Sequence, residues 1–115
     1  MNLSQFRLLL ITFILLISCS SDDDTKDCRK SNWREITWLS DLVSRYVSNQ
    51  IPGSIELYCY NNQEVFLISD CIVCTDPLSV AYDRDKNEIC RFGGIAGVNT
   101  CPDFEDEALL VEKIY

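Results

Sequence analysis

The chain has no histidine, one methionine, three prolines and four glycines in 115 residues. Without histidine, Ser-His-Asp and Cys-His nucleophilic catalysis are excluded, because neither has its general base. The glycines do not make a phosphate cradle: Gly93-Gly94 is followed by neither G-x-G-x-x-G nor Lys-Ser/Thr. Positive charge is also scarce, with 10 Lys and Arg against 18 Asp and Glu, a net charge of −8. Such an acidic chain repels nucleic-acid phosphates and anionic lipid headgroups, so neither is an expected partner. No long hydrophobic run is present. The longest, Leu8 to Ile17 (LLLITFILLI), is half the ~20 residues that cross a bilayer.

That apolar run nevertheless carries an address. Arg7 before it and small residues after it match a secretory signal over residues 1–18. Leu16-Ile17-Ser18-Cys19 resembles the bacterial lipobox, in which the cysteine receives diacylglycerol and becomes the first residue. The resemblance implies that Cys19 is the lipid anchor, with palmitate-type chains each contributing about 0.8 kcal/mol per buried methylene. The polar stretch Ser20 to Asp27 has no hydrophobic periodicity and reads as an acidic tether within 19–30. Within it, Ser21-Asp22-Asp23-Asp24 resembles the export signal of Bacteroidota surface lipoproteins. The expected location is therefore the outer membrane, lipid-anchored and exposed at the cell surface.

Cysteine is the residue in excess. Seven are present, and assigning Cys19 to lipid leaves Cys28, Cys59, Cys71, Cys74, Cys90 and Cys101. An even set in a small exported domain reads as a disulfide framework of unknown pairing. Each bridge typically contributes about 2–4 kcal/mol, comparable to the whole stability of such a domain. Cys71-Ile72-Val73-Cys74 is also a C-x-x-C. It lacks the helix start that a redox nucleophile uses to lower its pKa. It also lacks the second close pair that a four-cysteine zinc site needs.

The remaining chain reads as one helix followed by strands. Asn32 and Glu35 suggest a capping box. Ile36, Leu39, Leu42, Val43, Tyr46 and Val47 recur at helical spacing up to about Asn49. Ser54 to Tyr60 and Gln63 to Ser69 alternate like strands around Asn61-Asn62, a hairpin turn that tolerates positive φ. Their register sets Leu57 opposite Phe66 and Tyr60 opposite Gln63. One face then carries Ile55, Leu57, Cys59, Phe66 and Ile68, expected to pack on the helix. A second hairpin is expected from Leu78 to Phe92, turning at Arg84-Asp85-Lys86-Asn87, followed by a loop at Gly93 to Gly97. The tail beyond Asp103 can be read as helix or strand. Its acids, like Asp83 and Asp85, read as solvated surface rather than as a glycosidase pair across a cleft. Asp83 to Glu88 lacks the glycine and length of a calcium loop. No internal repeat is evident.

From Tyr58 to Phe104 the chain resembles a family of small, uncharacterised bacterial lipoproteins defined as a domain of unknown function. The matching features are Tyr58-Cys59-Tyr60, Val65-Phe66-Leu67-Ile68, Cys71 and Cys74 with Asp76, Tyr82-Asp83, Ile89-Cys90, Gly93-Gly94-Ile95-Ala96-Gly97 and Cys101-Pro102-Asp103-Phe104. Lys86 stands where the family turn has glycine, and Val98-Asn99-Thr100 where relatives tend to carry Gly-Asp. The resemblance implies a fold and a lipoprotein address, and no activity.

The expectation is an α+β domain over residues 31–115, an N-terminal amphipathic helix on a small antiparallel meander, stapled by up to three disulfides. Its expected role is a surface-tethered binding or structural module for a protein or glycan ligand, with no enzyme activity, no cofactor and no metal. One alternative is thiol–disulfide chemistry at Cys71 and Cys74. Another is a protease-inhibitor-like module, with Gly93, Gly94 and Gly97 shaping the binding loop.

Overall fold

A computed structural model of the chain describes Cys28 and residues 32–115. The expected signal peptide, the expected lipid anchor Cys19 and the expected export signal Ser21 to Asp24 lie outside the described residues, as does the expected acidic tether apart from Cys28. A 3₁₀ turn, Trp33–Glu35, leads to helix α1, Thr37–Asn49, and then to strands β1 (Ser54–Tyr60), β2 (Gln63–Ser69), β3 (Leu78–Tyr82), β4 (Glu88–Gly93) and β5 (Val98–Asn99). A short helix α2, Phe104–Glu107, and strand β6, Leu109–Lys113, complete the described chain. The strands form one sheet in the order β5-β4-β3-β2-β1-β6, and every pairing is antiparallel. The first five strands are a meander, and β6 returns to cover the free edge of β1. Among the described residues no helix is long and apolar enough to cross a membrane.

The start of α1 differs from the expected capping box. Asn32 Nδ2 donates to Glu35 Oε1 at 3.0 Å, but neither caps the helix, which begins at Thr37 after an extended Ile36. A 3₁₀ turn has three residues per turn, so Trp33 and Ile36 fall on one side. Both are buried in the helix–sheet core, and that burial selects the tighter turn. At its other end α1 stops at Gln50, whose left-handed φ of 50° lets Ile51 N–H donate to Tyr46 O at 3.1 Å.

The expected hairpin register is observed: Leu57 pairs with Phe66 and Tyr60 with Gln63, and Asn61 and Asn62 have φ of 50° and 61°. These are the conformations that a two-residue turn needs to follow strand twist. Ile55, Leu57, Phe66 and Ile68 pack against Leu39, Val43 and Tyr46 of α1. Cys59 is buried too, but it is held by a disulfide to Cys28.

The second sheet face is where the fold exceeds the expectation. Tyr60, Val65, Ala81 and Cys90 form a second buried cluster with Phe104. The segment after β5 crosses over this face, pinned by the Cys90–Cys101 disulfide and plugged by Phe104. The tail is thus both helix and strand. β6 pairs with β1, and Ile114 and Tyr115 N–H both donate to Ile55 O at 2.9 and 3.0 Å.

Candidate functional site

Strand alternation brings one side chain from each of five strands to the second face, beside Phe104. Ser79 pairs with Phe92 and Phe92 with Asn99, so these three share a face. Leu67 pairs with Ala81, two residues from Ser79, and Tyr58 pairs with Val65, two residues from Leu67. Period-two alternation therefore aims all five the same way. Together with Phe104 and Glu105 they line a cavity of about 420 Å³.

Its wall is aromatic. Phe104 lies 5.3 Å from Tyr58 and 5.0 Å from Phe92, centroid to centroid, in tilted contacts. Tyr60 supports Phe104 from behind at 5.0 Å, and its hydroxyl donates to Asp103 Oδ1 at 2.6 Å. That hydrogen bond, with burial, holds the Tyr60 phenol above its usual pKa. Burial, reinforced by Glu56, raises that of Tyr58. Both stay neutral at physiological pH. The polar side chains at the cavity are Tyr58, Ser79, Asn99 and Glu105, and none of its lining residues is cationic. Such a lining suits an uncharged or cationic ligand with an apolar face.

The tail acids Asp103, Glu105, Asp106 and Glu107 are exposed, as expected, and Asp103 in addition accepts the Tyr60 hydroxyl. Asp83 likewise has structural work: it accepts from Asp85 N–H, Asn87 N–H and Asn87 Nδ2 at 2.8–3.0 Å, which lowers its pKa. These bonds close the β3–β4 turn. Among the described residues no group of three His, Cys, Asp or Glu is arranged to hold a metal ion.

The loops form a separate region. Residues 70–77 and 93–97 meet at the end of the sheet opposite the Asn61-Asn62 turn, where Gly94 N–H donates to Pro77 O at 3.2 Å. Gly93, Gly94 and Gly97 all have positive φ. At Gly93 a Cβ would also collide with Pro77 O, so the residue is required twice over. Ile95 stands at the tip, 93% exposed, and Ile72 and Val73 are exposed at 61% and 78%. The Cys28–Cys59 bridge fixes the incoming chain near the far end of β1. All six expected cysteines are paired, as Cys28–Cys59, Cys71–Cys74 and Cys90–Cys101.

The sequence reading missed the cavity. Its one available signal was the far-face set Tyr58 and Leu67, which alternation leaves apolar on a side the helix does not cover. Asn99, Phe104 and Glu105 reach it only through the return of the chain, which no local pattern encodes.

No curated protein and no solved structure matches this chain. A family described as a domain of unknown function, DUF6970, matches residues 43–115, which span the described helix from Val43, all six strands and the cavity. The chain belongs to the DUF6970 family.

Proposed function

We propose that this protein is a lipid-anchored binding module of the outer membrane, held at the cell surface by Cys19 and its acidic tether. The observation that carries the binding role is the aromatic-walled cavity beside Phe104, rimmed by Asn99 and Glu105. An aromatic face with an amide and a carboxylate at its edge matches an uncharged sugar ring, which offers C–H groups to one side and hydroxyls at its rim. The Cys90–Cys101 bridge preorganises the wall and lowers the ordering cost of binding. Of the expected ligand classes, a glycan fits this lining best.

Two measurements test the reading. Neutral oligosaccharides titrated into isotope-labelled protein should shift amide resonances around Tyr58, Phe92 and Asn99, and Phe92→Ala should abolish the shifts. Perturbation confined to the 93–97 loop, or none across a broad panel, overturns the cavity as the site. For the address, Cys19→Ser should abolish acyl labelling and release the protein from membranes. Replacing Asp22, Asp23 and Asp24 with Ala should protect it from protease added to intact cells.

A protein ligand is the second reading, favoured by the exposed Ile95 on its glycine-shaped tip. A rigid, apolar loop of this kind is how inhibitor modules engage proteases. Ile95→Asp discriminates: it leaves oligosaccharide binding intact and abolishes protein capture.

A further inference from the structure

The three bridges are not equivalent. Cys28–Cys59 joins the incoming chain to β1 across 31 residues, and Cys90–Cys101 joins β4 to the segment that leads into α2. Cys71–Cys74 joins no two elements; it closes three residues of the connection between β2 and β3. Access differs in the same sense. Cys74 is exposed and Cys71 half-buried, whereas Cys59 and Cys90 are in the core at 3% and 0% exposure. An attacking thiolate needs one reachable sulfur; Cys28 and Cys101 are half-buried like Cys71, and of the six paired cysteines Cys74 alone is exposed.

The loop also has its own mounts. Ile72 N–H donates to Pro52 O at 2.8 Å, the Tyr46 hydroxyl donates to Asp70, and Pro77 O accepts from Gly94. These keep its ends in place whether or not the sulfurs are joined. Asp70 and Asp76 flank the pair. Carboxylates oppose thiolate formation, so the reduced pair is a poor nucleophile, and exchange at this bridge starts from a thiolate supplied by an external donor.

We propose that Cys71–Cys74 is a thiol–disulfide exchange site, opened by an external dithiol while the domain stays folded. The donor's thiolate attacks Cys74 Sγ, the S–S bond breaks, and Cys71 leaves as a thiolate that takes a proton. The donor's second thiol then attacks the mixed disulfide and releases Cys74 as a thiol. Two electrons pass to the protein, and the donor leaves as a disulfide. Opening frees Ile72 and Val73, the exposed apolar pair between the two sulfurs. It does not depend on what the cavity binds.

The test is graded reduction of full-length protein in detergent with dithiothreitol, followed by alkylation and mass-spectrometric mapping. Cys71 and Cys74 should label at dithiothreitol concentrations at least about tenfold below those that label the other four. Amide exchange should rise across 70–77 and stay unchanged in β1 and β2. The Cys71→Ser/Cys74→Ser variant should fold with the same exchange pattern in its strands and show no labelling in the low range. The proposal fails if all six cysteines label together, if Cys71 and Cys74 label last, or if the double variant does not fold.

Discussion

Lys86 has a φ of 66° in the β3–β4 turn, a left-handed conformation that costs a residue with a Cβ about 1 kcal/mol or more. The turn holds it there because Asp83 collects the amides of Asp85 and Asn87, and Lys86 N–H donates to Asp83 O at 3.1 Å. Glycine, which has no Cβ, would hold this φ without that cost. Lys86→Gly should raise stability by about 0.5–1 kcal/mol in denaturant melts, the strain relieved less the added freedom of the unfolded chain. Gly93→Ala should do the opposite, by about 1–3 kcal/mol, since it meets both a φ of 86° and the Pro77 carbonyl.

Two titrations define how stability responds to pH. Burial, with the hydrogen bond to Asp70, pushes the Tyr46 phenol well above its usual value of 10.0. The folded state thus prefers neutral Tyr46. Its contribution is complete below pH 10 and fades as pH rises through the unfolded value towards the folded one. Tyr46→Phe should flatten the loss of stability above pH 10, leaving the smaller share of Tyr58 and Tyr60. Asp83 runs the other way: its pKa is lowered, chiefly by the Asn87 side chain. Its contribution is present above the unfolded value of 3.8 and is lost as pH falls below it. Protection of the residue 83–88 amides against exchange, relative to their intrinsic rates at each pH, should therefore fall below about pH 4 before that of the β1–β2 hairpin.

Between elements, the disulfides and β6 carry the constraints that local signals do not. Loop-closure entropy grows with the span closed, so opening Cys28–Cys59 should cost about 3–4 kcal/mol and Cys90–Cys101 about 3 kcal/mol. The short Cys71–Cys74 loop should cost about 2 kcal/mol or less. Pairwise Cys→Ser variants melted in urea give this order directly. The framework was readable as an even count, but the pairing was not, because sequence spacing carries no information on which strands become neighbours. The β1–β2 hairpin was legible to the residue, and α1 in its face and its C-terminal end at Asn49. Their periodicity is internal to each segment, and the Asn61-Asn62 turn sets the register without outside help. The capping box failed because Trp33 and Ile36 answer to the core rather than to the helix end. The tail could not be typed because β6 is a strand through its bonds to β1, and Phe104 is core only because Tyr60, Tyr58 and Phe92 await it.

For the protein as a unit, the sheet has two different faces and two different ends. One face is sealed by α1; the other is half covered and leaves the cavity. The chain enters near the Asn61-Asn62 end through Cys28–Cys59, while Ile72, Val73 and Ile95 stand at the opposite end. In a lipoprotein anchored through Cys19, this arrangement would put those loops on the side away from the point of attachment. Spin labels placed at residue 95 and at residue 61 of membrane-bound protein should then differ in lipid-soluble relaxation, with residue 61 the closer to the bilayer.

The amino-acid order alone was sufficient for whatever is encoded within a few residues: the helix period of α1, the Asn-Asn turn and the absence of a histidine base. Alternation also assigned the two faces of β1 and β2, since neighbouring side chains on a strand must point opposite ways. The disulfide partners, the second core around Phe104, the strand character of the tail and the aromatic cavity came from the fold in three dimensions. Each joins residues tens of positions apart, and the energy that selects them is burial against a neighbour that exists only once the chain has returned to meet it.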